Sequence, residues 1–260
     1  MNSFHTITEL PGTRISKLQL RRSYQRYKFA SDLNSGGNVL EIGCGGGQGL
    51  ALLAENSEKV FGCDINEINL KIARSTYEKN ELVEIFKMDA EELHFEENYF
   101  SSIILFETIY YLKDVKIFLS KCSKLLKKNG KLIICTANKD WPDFNPSPFS
   151  TKYFSVPELN NILIESGFDV TMYGGFPDFK NGLIPQILSV VKKYAIKLHL
   201  IPKTMKGKLL LKKIFYGKTV LLPKSYYNNL IPYEKPTLIS NNQIDNIHTA
   251  IFAIAKKPNQ

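Results

Sequence analysis

Three carboxylates and one run of glycines are the residues of this chain whose types and spacing could do chemistry. Glu41 stands two positions before the first glycine of Gly43-Cys-Gly-Gly-Gly-Gln-Gly49, a loop that follows the apolar stretch Val39-Leu-Glu-Ile42. Asp64 ends a second apolar stretch, Lys59-Val-Phe-Gly-Cys63, and Asp89 ends a third, Leu82 to Met88. Bare backbone lets a ligand approach closely, so a glycine run after a strand reads as a binding loop. A dinucleotide loop needs G-x-G-x-x-G, and both registers fail. From Gly43 the third glycine position is Gln48, and from Gly45 it is Leu50. Glu41 would also repel a pyrophosphate, whereas it would attract a cation. Asp64 or Asp89 taken singly could equally be a helix cap after a strand. Together with the loop they describe one ligand site.

The elements that must hold these residues alternate. Ile15 to Asp32 reads as an N-terminal helix, with Ile15, Leu18, Tyr24 and Tyr27 mixed among arginines. Helical spacing recurs over Gln48–Asn56, Asn66–Asn80 and Asp114–Lys128, the last stopped by Asn129-Gly130. Between them lie strand candidates at 39–42, 59–63, 82–88, Phe100–Phe106 and Lys131–Thr136. A loop with three prolines runs from Asp140 to Phe149, of which Asn145-Pro-Ser-Pro-Phe149 reads as lid-like; Ser155-Val-Pro-Glu158 then has capping-box spacing for another helix. Phe168–Tyr173 and His248–Ala255 read as the last two strands. This alternation predicts a doubly wound α/β fold on a mostly parallel sheet. In such sheets ligands lie beyond the carboxyl ends of the strands, where strand order reverses.

Glu41-Ile-Gly43-Cys-Gly45-Gly-Gly47 fits E-x-G-x-G-x-G, and here the sequence resembles the class I S-adenosylmethionine-dependent methyltransferases over roughly residues 38–138. The resemblance implies seven strands with the last antiparallel. It implies that the loop, with Glu41, Gly43, Cys44, Gly45 and Gly47, wraps the methionine part of S-adenosylmethionine, and that S-adenosylhomocysteine is the product. Asp64 would accept from the ribose hydroxyls, and Asp89, followed by Ala90, would lie at the adenine amino group. Ile65 and Met88 would wall the adenine, and Phe106 would close the pocket from the fourth strand. Tyr27 either closes over the cofactor or packs.

The residues after that strand, Phe106-Glu-Thr-Ile-Tyr-Tyr111, face the methyl group in enzymes of this kind. Amino-methyltransferases of nucleic-acid bases resemble one another in Asn/Asp-Pro-Pro-aromatic here, and cytosine-C5 enzymes in Pro-Cys; this chain has neither. The expected acceptor is therefore oxygen or nitrogen of a small molecule, free or linked to a lipid or carrier. Glu107 and Tyr111 are the candidate catalytic residues, each with pocket lining or packing as its alternative. Rival readings are an RNA methyltransferase and a non-catalytic S-adenosylmethionine-binding module.

Composition sets the wider limits. The 260 residues carry a net charge of +9, yet Phe179 to Tyr233 holds eleven lysines and no acidic residue. That segment reads as a basic helical insert. It is a cap with a solvated lysine face, a surface for an anionic membrane or lipid-like acceptor, or a footprint for RNA. The segment lacks arginine, which argues against nucleic acid. Domain boundaries follow: 1–35 helical, 36–178 cofactor-binding core, 179–240 cap insert, 241–260 last strand. Cys44, Cys63, Cys122 and Cys135 show no C-x-x-C spacing and read as buried free thiols, with no metal site. The start of the chain carries no basic flank before an apolar run, and no stretch has the roughly 20 apolar residues of a membrane span, so a cytoplasmic protein is expected.

Overall fold

In the computed structural model, residues 10–34, 36–178 and 219–259 are described. In chain order the elements are β1 (Arg14–Ser16), α1 (Lys17–Leu33), β2 (Asn38–Ile42), α2 (Leu50–Ala54), β3 (Lys59–Asp64), α3 (Glu67–Tyr77), β4 (Val83–Lys87) and β5 (Phe100–Phe106). Then follow α4 (Val115–Leu125), β6 (Leu126–Ala137), α5 (Val156–Glu165), β7 (Asp169–Pro177), β8 (Thr219–Leu221), β9 (Thr237–Leu238) and β10 (His248–Lys256).

The main sheet has the order β4-β3-β2-β5-β6-β10-β7-β9. Strands β2 to β6 pair in parallel, and β10 runs antiparallel between β6 and β7. The seven expected strands are all present, and the two-residue β9 adds an edge beyond β7. Chain order leaves β2 toward β3 on one side and resumes at β5 on the other, so the reversal point lies between β2 and β5. The loops leaving these two strands are the glycine loop and the Glu107 segment.

Both faces of the sheet are covered, which explains the continuous apolar runs of its central strands. Ile103 and Leu105 of β5 pack with Phe118, Leu119, Leu159 and Leu163 from α4 and α5. Ile104 and Phe106, pointing the other way, pack with Tyr24, Tyr27 and Phe29 of α1 and with α2 and α3. Helix starts are fixed locally. Ser16 with Gln19, and Ser155 with Glu158, form reciprocal capping boxes, while Asn66 and Asp114 cap α3 and α4.

Two expectations need correction. Helix α4 ends at Leu125 rather than Lys128, because Leu126 already pairs with Phe100 on β5. Asn129 then takes a left-handed φ of 62° beside Gly130, inside β6 rather than ahead of it. Residues 219–240, expected to close a helical insert, instead form β8, β9 and loops. Prolines 223, 232 and 236 remove the backbone donors that a helix needs. Strand β8 pairs with β1, and the Leu222 amide donates to the Thr13 carbonyl at 2.9 Å. The lysine-rich segments expected to be helical around 183–198 and 201–215 lie outside the described residues.

Ser155 caps α5 through reciprocal bonds with Glu158. Ser155→Ala is expected to lower stability by about 1 kcal/mol in chemical denaturation and to leave ligand affinity unchanged.

Candidate functional site

The glycine loop is shaped by contacts on both sides. Gly43 has a φ of 76°, and a side chain there would meet the Thr108 hydroxyl at 2.4 Å. A Cβ at Gly49 would fall 1.9 Å from the Tyr27 ring, so glycine at 49 is what lets α1 dock on the loop. The Gly43 and Cys44 amides donate to the Cys63 carbonyl, at 2.8 and 3.0 Å, and the Gly45 amide donates to Asp64 Oδ2 at 2.9 Å. Tyr77 donates its hydroxyl to the Gly47 carbonyl at 2.6 Å. From the far end of the chain, the Tyr226 amide donates to the Gln48 carbonyl at 2.7 Å. Cys44 is buried, burial pushes its thiol well above the ordinary range, and it packs beneath the loop. All four cysteines are free and buried.

Glu41 is the unusual residue. It is 1% exposed, on a strand inside the sheet. Its Oε1 accepts the Tyr27 hydroxyl at 2.6 Å, and its Oε2 is buried with no hydrogen-bond partner among the described residues. Burial pushes its carboxyl up to about 7, with the Tyr27 bond opposing and Asp64 adding to the rise. Burial and the neighbouring Glu41 hold the Tyr27 hydroxyl well above its ordinary range, so it stays a donor. Tyr27 is 9% exposed, lies edge-on to Phe106 at 5.2 Å and packs as well as bonds. An orphaned carboxylate oxygen at this depth calls for a cation or a proton.

The second and third acids lie as expected at strand ends. Asp64 accepts from Gly45 and, through Oδ1, from the Asn66 amide at 2.7 Å, so it ties loop to helix. Burial raises its carboxyl, against these bonds. Asp89 caps its own turn, accepting from the Glu91 amide at 2.9 Å. Each acid takes up a backbone amide of the turn after its strand, while Asn66 caps α3, so neither is the helix cap of the alternative reading. Ile65 is 53% exposed, Met88 and Ala90 are half-buried against the core, and the Met88 amide bonds the Asp64 carbonyl. A Cβ at Gly45 would meet nothing within 4 Å, which leaves open space over the loop. The orphaned Glu41 oxygen, this space and the exposed Ile65 fit a ligand with a cationic head and an apolar ring.

Beyond β5, Glu107 holds a left-handed φ of 50°, its amide bonded to the Cys135 carbonyl at 2.8 Å. Such a conformation costs on the order of 1–3 kcal/mol outside glycine. The Arg26 guanidinium lies 3.5 Å from its carboxylate. Together they line a cleft of about 270 Å³ with Arg22, Trp141, Phe144, Tyr153 and Phe176. Tyr111 is not in this lining; it is 39% exposed and edge-on to Tyr110. The proline loop borders the cleft through Trp141 and Phe144, residues the sequence marked only by proximity to a lid-like segment. A wider depression of about 450 Å³ near Asn34 and Glu58 lies at the amino ends of β2 and β3, away from the loop. Among the described residues no helix is long and apolar enough to cross a membrane, and no cluster of His, Cys, Asp or Glu could hold a metal ion.

Residues 40–134 match the family model described as a methyltransferase domain. A probable S-adenosylmethionine-dependent methyltransferase of Mycobacterium tuberculosis is 30% identical over 174 residues, 64% of this chain and 62% of that protein. The chain thus spans less than two thirds of that relative. A ubiquinone biosynthesis O-methyltransferase of Pelagibacter ubique is 34% identical over 101 residues, 39% of this chain and 42% of that protein. Among solved structures, phosphoethanolamine N-methyltransferase 2 of Haemonchus contortus in complex with S-adenosyl-L-methionine superposes with a TM-score of 0.57. It is 20% identical and covers 90% of this chain and 52% of that one. At this identity the likeness shows the fold.

Glu41 sets a pH dependence. Its folded value of about 7 lies above the ordinary 4.5, so the ligand-free fold holds this proton more tightly than the unfolded chain. The contribution of Glu41 to stability is greatest below pH 4.5, falls as the pH rises through about 7, and then levels. Its span is about 3 kcal/mol. Denaturation at pH 5 and pH 8 is expected to show wild type losing ground to Glu41→Gln by about that amount. Parallel pH profiles would show that Glu41 does not titrate this way.

Proposed function

We propose that this chain, whose residues 40–134 match a methyltransferase-domain family, is a class I S-adenosylmethionine-dependent methyltransferase that moves a methyl group to oxygen or nitrogen of a small-molecule acceptor. The observation that carries the acceptor half is a shared wall. Thr108 abuts Gly43 and follows Glu107 of the cleft, and Tyr27, bonded to Glu41, follows Arg26 of the cleft. The loop and a half-open small-molecule cleft are thus two sides of one partition.

Bound S-adenosylmethionine supplies a methyl already activated on a sulfonium. Glu41 offers its orphaned carboxylate oxygen to the ammonium of the methionine part. Gly43 to Gly47 let backbone approach that part closely, Asp64 accepts from the ribose hydroxyls, and Asp89 with Ala90 meets the adenine between Ile65 and Met88. Phe106 and Tyr27 keep water from the back of the loop. An acceptor hydroxyl or protonated amine gives up one proton for the methyl it gains, and the Glu107 carboxylate takes it, held in place by Arg26. Most of the remaining rate gain comes from alignment in a closed site.

The acceptor class is in keeping with the similar proteins, a ubiquinone biosynthesis O-methyltransferase and a phosphoethanolamine N-methyltransferase. Contact of the lysine-rich segment with an anionic membrane, and RNA as acceptor, are companion readings that rest on residues largely outside those described.

Asp64→Ala is expected to weaken S-adenosylhomocysteine binding at least about tenfold in calorimetry. Glu107→Gln should leave that affinity within a few-fold and lower turnover by about 10²–10⁴. Unchanged turnover would remove Glu107 as the proton acceptor. Turnover itself is sought with methyl-labelled S-adenosylmethionine and a metabolite extract, with RNA assayed separately; label appearing in RNA alone would overturn the small-molecule reading.

A further inference from the structure

We propose that the cleft beside Glu107 selects a single-ring, planar aromatic acceptor bearing a hydroxyl group, its ring held among Trp141, Phe144 and Tyr153 and its hydroxyl at the Arg26–Glu107 pair. The methyl-transfer reading above gives that hydroxyl its purpose; the choice of ring rests on the walls of the cleft.

Those walls are built before any ligand arrives. Trp141 is fixed by its indole nitrogen, which donates to Asp178 Oδ2 at 3.1 Å. Tyr153 stacks on Tyr110 at 4.5 Å with 29° between planes, and Phe144 meets Tyr153 edge-on at 4.7 Å and 73°. The Tyr153 hydroxyl also accepts from the Ser147 amide at 3.2 Å, which ties the proline loop to the same cluster. Phe176, also in the lining, carries the Arg22 guanidinium 5.5 Å from its ring centre and tilts against Phe252 at 6.0 Å. A lining of interlocked rings is stiff, and its quadrupoles favour another flat ring in stacked or edge-on contact over a puckered or branched ligand.

Size narrows the class. An apolar cavity of about 150 Å³ takes one benzene molecule. The cleft of about 270 Å³ therefore has room for one ring and its substituents. Direction narrows it further. The Arg26–Glu107 pair, at 3.5 Å, stands one residue from Tyr27 and Thr108, which touch the glycine loop, so a hydroxyl turned toward that pair faces the loop.

Backbone strain marks the same place. Five described residues other than glycine have positive φ, and three are asparagines, the type that tolerates it best. The other two, Glu107 at 50° and Phe176 at 58°, both line this cleft. The fold thus maintains two unfavourable conformations in the lining of one small space, which fits a site whose shape is selected for a ligand.

Trp141 is the single tryptophan of the sequence, so its emission reports on this cleft directly. The full chain would be titrated with catechol and with cyclohexane-1,2-diol, which carries the same two hydroxyls on a puckered ring. Trp141 emission and calorimetric heat would be followed with S-adenosylhomocysteine present. Saturable catechol binding with no diol binding is expected, and Phe144→Leu should weaken catechol tenfold or more while S-adenosylhomocysteine affinity stays within twofold. Equal binding of the two probes, an unaffected Phe144→Leu, or no saturation by catechol up to about 10 mM would overturn the proposal. Failure of catechol with S-adenosylhomocysteine still bound would remove the ring class alone. Failure of both ligands would remove the methyl-transfer reading with it.

Discussion

A carboxyl group taken out of water without a charge partner is the constraint around which this structure is arranged. Glu41 sits on an interior strand, one oxygen satisfied by Tyr27 and the other by nothing among the described residues. A helix had to be brought to it, and α1 reaches the sheet only because residue 49 is glycine and admits the Tyr27 ring. The bond orients α1, and α1 in turn sets Arg26 against Glu107 and Arg22 over Phe176. Replacing the acid by an apolar residue would relieve the cost of burial, so stability alone does not account for its presence.

The sheet supplies the geometry that sets the glycine loop beside the Glu107 segment. Strand order reverses between β2 and β5, and the loops leaving those strands diverge at that point. One becomes the glycine loop, whose amides are taken up by Cys63 and Asp64. The other is turned at once by the left-handed Glu107, whose amide stays bonded to β6 while its side chain enters the cleft. Insertion of β10 between β6 and β7 brings Thr249 and Ala250 to the floor of the same cleft and lets Phe252 buttress Phe176. Segments distant in sequence close the assembly, since Tyr226 bonds both the Gln48 carbonyl and, through its hydroxyl, Ser23.

What was legible in the sequence was local. The apolar run Phe100–Phe106 is a strand with those limits, the Ser155–Glu158 spacing is a capping box, and the three acids stand at three strand ends. Each is a pattern within a few residues. The end of α4 was misread because a long-range pairing, Leu126 with Phe100, outweighs the Asn-Gly signal three residues later. The segment 219–240 was misread because lysine-rich aliphatic stretches before it suggested helix throughout, while its own prolines and its pairing with β1 dictate otherwise. The cleft was the least legible part. Arg22, Trp141, Tyr153 and Phe176 come from four separate segments, and a left-handed φ at Glu or Phe leaves no mark in the residue type. The presence of several aromatics near the proline loop was the one available hint.

The central claim is that Glu41 holds a proton in the free protein and exchanges it for the charge of a bound cationic ligand. Calorimetric titration of S-adenosylhomocysteine at pH 6, in two buffers of different ionisation enthalpy, counts the protons released. The account predicts release of close to one proton per ligand by the wild type, and loss of that release in Glu41→Gln. Equal proton counts for the two proteins would contradict it.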